Sequence, residues 1–237
     1  MIASPLELQT AFHIGSIGVT KPVVTTWALM AFLVAACILA TAHLESRPGT
    51  LQSIAELIVD TVDAQTRDIM RIDPAPYRAL FGTLFLFILA ANWSALIPGV
   101  EPPTARLETD MALALVVFAA TIFYGIKTRG VFGYLKSFAE PSLIMVPLNL
   151  VEQITHTFSL FVRLFGNVMS GVFVVGIVLT LAGLLVPIPL MALDLLTGAV
   201  QAYIFTILAM VFTAAAVIED KKQEPTPPPE GVDHGSD

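Results

Sequence analysis

The stretch Ser159-Leu-Phe-Val-Arg-Leu-Phe-Gly-Asn167 places an arginine in the middle of a long apolar segment, which extends from about residue 143 to residue 186. A segment of this length and composition is expected to enter a membrane. A guanidinium group stays protonated, and its burial near the centre of a bilayer costs about 3 kcal/mol on insertion scales. Arg163 is therefore expected to face a partner, a water-filled cavity or an ion path.

The composition of the whole chain indicates an integral membrane protein. Of its 237 residues, 56% are apolar and 13% are charged, which is about half the charged fraction of a soluble domain. The net charge of −7 owes much to an acidic tail and does not indicate a nucleic acid partner. The single cysteine, Cys37, excludes an intrachain disulfide. The first twenty residues lack a basic segment and a cleavage site, so no cleaved signal peptide is expected.

Five apolar runs predict an all-α integral membrane protein with five membrane-crossing helices and one amphipathic surface helix. The predicted spans cover residues 23–42, 77–97, 110–126, 142–186 and 189–218, and the surface helix covers residues 50–72. Residues 1–22 are expected to form an external segment, residues 127–140 a basic loop, and residues 219–237 a disordered cytoplasmic tail.

The fourth predicted span is too long to stand upright in a bilayer. At ~1.5 Å per residue it reaches more than about 60 Å as one helix, whereas a hydrocarbon core is ~30 Å thick. A strong tilt, a bend or a course along the membrane would resolve the mismatch. Polar groups along the segment favour a tilt against a protein surface. The last two spans are therefore predicted to form a long, strongly tilted hairpin.

Basic residues set the predicted topology. With the N-terminus outside, the outer segments hold only Lys21 and Arg106. The inner segments then hold Arg47, Arg67, Arg71, Arg78, Lys127, Arg129, Lys136, Lys221 and Lys222. The positive-inside rule therefore predicts an external N-terminus and a cytoplasmic C-terminus.

Six polar residues of the fourth span share one helical face with the arginine. At about 100° per residue, these six, with the arginine counted among them, fall within about 40° of one line; they are Glu152, His156, Ser159, Arg163, Asn167 and Ser170. Lipid would reject such a face, so it is expected to meet protein or water. For the two serines, a hydrogen-bonded seam between helices explains the pattern as well. Glu152 and His156 either reach the headgroups or line an aqueous access path.

The last predicted span carries a shorter polar stripe of Asp194, Gly198 and Gln201. Asp194 is costly in an apolar helix unless it is paired or protonated, although a position near the headgroups would also explain it. Gln201 lies deeper, where its amide can hydrogen-bond to Arg163 across the hairpin. Gly166 and Gly171 are interpreted as sites of close helix packing.

Polar residues at the ends of two other spans are secondary candidates. Asn92 and Ser94 are interpreted as a helix-end hydrogen-bond set, with an ion site as the alternative. Asp110 is interpreted as a helix cap, and the alternative is a carboxylate at an outer water entrance. No spacing typical of a metal site, a phosphate-binding loop or a nucleophile–base pair occurs in the sequence. We therefore predict neither a catalytic site nor a cofactor.

The pattern Glu152-x-x-Thr155-x-x-x-Ser159-Leu-x-x-Arg163-Leu-Phe-Gly-Asn167 resembles the hallmark of subunit a of rotary F-type ATP synthases. The run from residue 92 to residue 99, Asn-Trp-Ser-Ala-Leu-Ile-Pro-Gly, is similar to a turn of that family. The segment that begins at Leu196 and contains Gln201 is similar to the family's final helix.

The resemblance implies a non-catalytic stator in a bacterial inner membrane, in contact with a c-ring, peripheral-stalk b subunits, the other synthase subunits and lipid. It implies that Arg163 faces the essential carboxylate of the rotating ring, with Asn167 and Gln201 as polar neighbours. Two offset aqueous half-channels would meet on either side of the arginine, and the transported ion would be a proton.

Three departures from the family pattern affect these implications. His156-Thr157 stands where the family usually has Lys-Pro. The family's Asp-Leu-Asn-x-Thr pattern at the third span is reduced here to Asp110-Met-Ala. Val172 and Asp194 stand where the family often has a glutamate and a histidine, so a carboxylate has moved from one helix to the other. A sodium-translocating (N-type) enzyme remains an alternative, as does a stand-alone transporter that binds an anion at Arg163.

Overall fold

Six α-helices make up most of the chain that the computed structural model describes, which is residues 10–14, 17–42, 49–97, 100, 102–139, 145–182 and 186–218. The helices are α1 Lys21–Ala42, α2 Thr50–Met70, α3 Arg78–Trp93, α4 Leu107–Ala139, α5 Met145–Ala182 and α6 Pro187–Val217. Short 3-10 turns follow α3 at Ser94–Leu96 and precede α4 at Pro103–Ala105. A small antiparallel hairpin, β1 Thr10–Ile14 and β2 Ile17–Thr20, was not predicted. The predicted tail lies outside the described residues.

Five of these helices are long and apolar enough to cross a membrane, which confirms the predicted number of spans. The candidate spans are Pro22–Thr41, Arg78–Leu96, Leu107–Tyr134, Val146–Leu181 and Ile188–Val217. Half of the residues in the most apolar 18-residue stretch of α6 are buried, whereas no residue in the corresponding stretch of α1 is buried. The sixth helix is therefore the centre of the bundle, and the first helix lies at its edge.

The prediction of a basic loop at residues 127–140 is wrong, because α4 continues through this segment to Ala139. The helix continues past Lys127 and Arg129. Their long side chains can lie along an apolar surface while the charged ends reach water, so the charges do not require a loop. The helix instead turns sharply at Gly130, which has φ 72° and ψ 164°. Beyond that turn the Tyr134 ring lies against Gly125, where an added Cβ would be 2.6 Å from the ring. On a straight helix these two residues would be ~13 Å apart.

The core of the bundle is formed where α6 packs against α3 and α5. Fully buried side chains from the three helices include Phe205, Phe81, Ile88, Leu160 and Leu164. Burial of an apolar side chain of this size contributes about 1.5–3 kcal/mol. This packing holds α6 in place and leaves the opposite side of α5 free.

Hydrogen bonds distinguish the two ends of the bundle. At the end where α3 finishes and α4 begins, Trp93 Nε1 donates to the Leu195 carbonyl at 3.2 Å. We call this the α3–α4 end. At the other end, the α2 end, Arg129 donates to the carbonyl of Ile218 just after α6. Tyr124 there donates to the Pro76 carbonyl at 2.9 Å. In the predicted topology the α3–α4 end is the outer one.

The amphipathic helix α2 ends at Met70, two residues earlier than predicted, and Arg71 then adopts a left-handed conformation with φ 53°. Its buried side includes Val62 and Thr66, and Thr66 Oγ1 lies 3.9 Å from the sulfur of Met210. Arg78 at the start of α3 forms a two-point ion pair with Asp63, in which Nε donates to Oδ1 at 2.7 Å. The ion pair therefore ties α2 to the membrane-crossing bundle.

The Asp63–Arg78 pair is expected to stabilise the fold in a pH-dependent way. The Arg78 hydrogen bond and its charge lower the pKa of Asp63 below its usual value. A carboxylate with a lowered pKa in the folded state stabilises it above the unfolded-state pKa, about 3.9, and loses that contribution as the pH falls further. We expect Asp63→Asn to lower the melting temperature in detergent by roughly 1–3 °C at neutral pH, and the difference to shrink below about pH 4.

The control for this experiment is Asp68→Asn, which removes an exposed carboxylate of the same helix. Asp68 forms no ion pair with another described residue. A loss of stability in Asp63→Asn that stays constant down to pH 3, or an equal loss in Asp68→Asn, would contradict the role assigned to the pair.

Candidate functional site

Arg163 lies on the exposed side of α5, near the middle of the helix. The buried side of α5 is formed by Leu160, Leu164 and Val168. The opposite side exposes large apolar side chains, which include Ile154 and Phe158. The polar stripe runs along the boundary between these two sides, so it lies at the edge of the bundle.

The Arg163 side chain forms no hydrogen bond and no ion pair with any residue that the structure describes. The candidate carboxylates Glu152, Asp194 and Asp110 do not pair with it. An internal seam that neutralises the arginine is therefore not found in the described part of the chain. A permanent charge held in this way needs a counter-charge or water from outside the described residues.

The predicted hydrogen bond between Gln201 and Arg163 is wrong. Gln201 is buried in the bundle, with 6% of its surface exposed, and its Nε2 finds no acceptor among the described residues. Arg163 points instead toward the exposed side of α5. Asn167, one turn after Arg163 on α5, is half-buried. Its Nδ2 also lacks an acceptor among the described residues. The hairpin thus contains two amide donors that have no acceptor among the described residues.

Glu152 and His156 form a pair near the α2 end of α5. The His156 Nε2 atom lies 3.7 Å from Glu152 Oε1. The imidazole stacks on Phe212 of α6, with ring centroids 4.3 Å apart and an angle of 5° between the ring planes. His156 is therefore packed against the hairpin partner, whereas Glu152 is exposed.

The two serines of the stripe are both exposed and do not form a seam between helices. Ser170 Oγ donates to the Asn167 carbonyl of the same helix at 2.9 Å. Ser159 has no hydrogen bond to the described part of the chain. The hydrogen-bonded seam considered for these residues is therefore not observed.

A cavity of about 220 Å³ lies at the α3–α4 end, between α3, α5 and the start of α6. Its lining includes Asn92, Gly171, Val172, Val175 and Asp194. Asp194 is partly buried, and its carboxylate lies directly over Gly171. A Cβ added at residue 171 would lie 2.7 Å from Asp194 Cγ. The close packing expected at Gly171 is confirmed, and it leaves room for a carboxylate at the cavity. At Gly166, where nothing lies within 4 Å of an added Cβ, that expectation is wrong.

Asn92 joins three elements at the same end of the bundle. Its Nδ2 donates to the Gly198 carbonyl of α6 at 2.9 Å, and its Oδ1 accepts from Thr104 at 2.8 Å. Ser94 Oγ donates to the Ala91 carbonyl at 2.6 Å. The helix-end hydrogen-bond set predicted for Asn92 and Ser94 is confirmed. The hydrogen bond from Thr104 to Asn92 was not predicted. Helical periodicity gives no signal for a single threonine in a turn.

Asp110 does not cap a helix, so that interpretation is wrong. The helix α4 begins at Leu107, and the Asp110 backbone N–H already donates to the Arg106 carbonyl at 3.3 Å. The side chain is fully buried, and neither carboxyl oxygen has a hydrogen-bond partner among the described residues. A buried carboxyl without a partner is unusual in any protein.

The arrangement suits ion movement better than bond chemistry. Charged and polar groups lie along α5 and at the α3–α4 end, and no nucleophile–base pair joins them in the described chain. Clusters of three or more potential metal ligands are also absent from the described residues.

Comparison with known proteins identifies the family. Residues 23–214 match the ATP synthase A chain family. The chain is 54% identical over 217 residues to "ATP synthase subunit a 2" of a Bradyrhizobium species, which covers 92% of this chain and 97% of the relative. It is 44% identical over 229 residues to "ATP synthase subunit a" of Albidiferax ferrireducens, with 96% and 98% covered. A Picosynechococcus "ATP synthase subunit a 2" is 43% identical over 208 residues, with 86% and 89% covered.

Proposed function

The chain belongs to the ATP synthase A chain family, and we propose that it forms two proton half-channels against a rotating c-ring. Members of this family are non-catalytic membrane subunits that assemble with the other subunits of the synthase. In this proposal the chain couples proton movement to rotation of the ring. It would lie in the inner membrane of a bacterium, with the N-terminus in the periplasm, the C-terminus in the cytoplasm, and b subunits of the peripheral stalk beside it.

The single observation that carries the proposal is the exposed position of Arg163 near the middle of an apolar helix, with no partner among the described residues. An acidic group on a neighbouring subunit would satisfy this charge. The length of α5 also supports the proposal, because its 38 residues reach about 57 Å and exceed the thickness of a hydrocarbon core. A helix of this length needs a strong tilt, and a broad ring provides a surface for it to lie against.

Arg163 would control the protonation of each ring carboxyl that passes it. A fixed positive charge favours the carboxylate over the neutral acid, so the ring group releases its proton on approach. The same charge repels a free proton and so prevents a direct leak from one half-channel to the other. Reloading then takes place from the half-channel on the other side of the arginine.

The two ends of the bundle supply candidates for the two half-channels. The cavity at the α3–α4 end, with Asp194 and Asn92, supports an outer route. The exposed Glu152 beside His156 supports an inner route at the α2 end. Ser159, Asn167 and Ser170 lie between these ends on α5 and would line the ring-facing surface. Gln201 is assigned to the same region, on the buried side of the hairpin.

The transported ion is assigned as a proton, and the sodium-translocating alternative is tested by the same preparations. The ring subunit supplies most of the ligands for the ion, and this chain does not contain them. The stand-alone transporter loses support, since the chain matches subunit a over nearly its full length. Purification in mild detergent together with small ring subunits and a soluble ATPase is the expected result for the stator.

Disulfide cross-linking tests which side of α5 faces the ring. Cys37 is replaced by serine, and single cysteines are placed at Ser159 and Ser170 on the polar stripe. A partner cysteine is placed next to the essential carboxylate of the ring subunit. We expect cross-links from both stripe positions, because neighbouring faces bring the two sulfur atoms within reach of a disulfide.

Matched controls come from the apolar side of the same helix, at Ile154 and Phe158, whose side chains are similarly exposed. These positions are expected to give no ring cross-link. Links that form only from Ile154 and Phe158, or equally from all four positions, would contradict the proposed ring-facing surface.

A further inference from the structure

The last part of α4 folds back on the bundle at the α2 end. The helix turns sharply at Gly130, whose φ of 72° favours glycine, and we call residues 131–139 beyond this turn the α4 hook. Just before the turn, Arg129 donates to the carbonyl of Ile218. The start of the hook is therefore tied to the end of α6.

One side chain of the hook, Tyr134, is inserted into the bundle and exposes only 7% of its surface. Its ring fills a notch at Gly125, where an added Cβ would lie 2.6 Å from Cε2 of the ring. The same Cβ would lie 3.4 Å from the Cβ of Ala216 on α6. The ring therefore packs where α4 and α6 meet, and a ring packed this closely has little room to shift.

The hydroxyl group of Tyr134 extends this packing to a third helix. It interacts with the side chain of Gln153 on α5. A buried tyrosine hydroxyl needs such a partner, because an unpaired polar group in an apolar interior costs free energy. The hook thus connects α4 and α6 to one defined position on α5.

That position lies within the pair assigned to the inner route. Glu152 directly precedes Gln153, and His156 follows it by three residues, which is close to one helical turn. The imidazole of His156 stacks on Phe212 of α6. The α2 end of α5 is therefore held by two contacts, one from α6 to His156 and one from the α4 hook to Gln153.

Anchoring in the membrane surface does not explain the buried ring. Val131 and Phe132 of the hook are both exposed, and apolar side chains of this kind suit a membrane interface. Such an anchor would not require Tyr134 to reach α5. The contact with Gln153 therefore calls for a separate role.

We propose that Tyr134 is a positioning residue for the inner route, which holds Glu152 and His156 in place through Gln153. Tyr134 neither binds nor transfers the proton, and no bond at its hydroxyl group is made or broken. The inference rests on the proposed function, because it assumes that protons enter at the α2 end and pass this pair.

The test compares Tyr134→Phe with Tyr124→Phe in the assembled complex, in vesicles whose α2 side faces the medium. Tyr124 is the matched control, since it lies on the same helix at the same end and its hydroxyl group donates to the Pro76 carbonyl at 2.9 Å. Each variant removes one hydroxyl group and keeps the aromatic ring. The rate of ATP-driven pumping is measured over a range of medium pH, which gives a maximal rate and a half-saturating proton concentration.

Other ionisable groups around the hook are the same in both variants. Arg129 of α4 is the charged group that acts on Tyr134. Between residues 204 and 217, α6 contains no ionisable side chain. The pH dependence of ATP hydrolysis itself is measured on the soluble sector alone and subtracted. A difference between the two variants therefore reports the entry of protons at this end.

We expect Tyr134→Phe to raise the half-saturating proton concentration by about threefold or more and to keep the maximal rate within about twofold of the parent. The physical reason is that a displaced pair takes up entering protons less well, whereas the later steps are unchanged. Tyr124→Phe is expected to leave both quantities unchanged. If Tyr134→Phe does not assemble, Gln153→Leu removes the partner of the hydroxyl group and is expected to give the same shift.

A second comparison determines whether the hydroxyl group acts through the pair. In a Glu152→Gln background, Tyr134→Phe is expected to add no further shift, because the group to be positioned has already lost its function. Gly125→Ala places a methyl group against the ring and is expected to shift the half-saturating concentration in the same direction as Tyr134→Phe.

Three results would overturn the inference. A lower maximal rate in Tyr134→Phe without a shift in half-saturation would show a packing role alone. An equal shift in Tyr124→Phe would show a general loosening of this end, and a further shift in the Glu152→Gln background would show an effect that bypasses the pair. Failure of the proposed function would appear elsewhere, as an absence of ATP-driven pumping in the parent complex or as pumping that survives Arg163→Ala.

Discussion

Arg163→Ala is expected to abolish ATP-driven ion pumping by the assembled complex, with a loss of about 100-fold or more. The side chain forms no contact with a charged or hydrogen-bonding group of the described chain, so its removal leaves no internal partner unpaired. Folding and assembly should therefore survive, and the loss should appear in ion movement alone. Pumping is measured in vesicles by the quenching of a pH-sensitive dye, and assembly by co-purification of the ring.

Lysine at the same position separates charge from geometry. Arg163→Lys keeps a cation, but a lysine can lose its proton when it is desolvated, whereas an arginine cannot. We expect Arg163→Lys to pump far less than the parent protein. Lys127→Ala removes an exposed cation of α4 and should leave pumping unchanged. Pumping that is retained in Arg163→Ala would remove the mechanism, since no other group in the proposal supplies a permanent charge.

The same vesicles address the identity of the ion. ATP-driven pumping by the parent complex is compared in media with and without Na⁺. Acidification that is independent of Na⁺ is expected for a proton-coupled complex. If pumping requires Na⁺, the sodium-translocating alternative is correct, and the role of Arg163 carries over to a different ion.

Helical periodicity was sufficient to predict the features that repeat along one element. The five spans follow from the length of the apolar runs. The amphipathic character of α2 follows from the alternation of apolar and charged residues along it. The stripe through Arg163 follows from a spacing of three and four residues, and it requires no knowledge of neighbouring helices. These features are local, so the sequence contains the information that determines them.

The missed features depend on contacts between segments that are distant in the chain. Asn92 binds Thr104 and Gly198, which come from a turn and from another helix. Gln201 was placed next to Arg163 by depth alone, but the rotation of α6 about its axis turned the amide inward. The loop at residues 127–140 was predicted from charge, although a basic side chain disfavours a helix less than a glycine such as Gly130 does.

The cavity at the α3–α4 end has its carboxylate on α6 and not on α5. Val172 leaves α5 without a carboxylate there, and Asp194 supplies one from α6. The carboxylate fits only because Gly171 has no side chain. The acidic group and the space for it thus come from opposite sides of the hairpin, so the two residues are expected to act as one unit.

Asp194→Asn is expected to lower both ion-driven ATP synthesis and ATP-driven pumping by about tenfold or more, because it removes the carboxyl group that is proposed to bind protons in the cavity. Gly171→Ala is expected to give a smaller loss, since the added methyl group displaces the carboxylate without removing it. Gly176→Ala is the matched control. Although Gly176 also lines the cavity, an added Cβ there meets nothing within 4 Å, so activity should be retained.

The double variant Gly171→Ala/Asp194→Asn determines whether the glycine acts through the carboxylate. If Gly171 serves only to position Asp194, the double variant should be no less active than Asp194→Asn alone, because the group to be positioned has already gone. Losses that multiply would instead indicate a separate packing defect between α5 and α6. Normal activity in Asp194→Asn would show that the carboxylate of this cavity takes no part in ion movement, whatever the effect of Gly171→Ala.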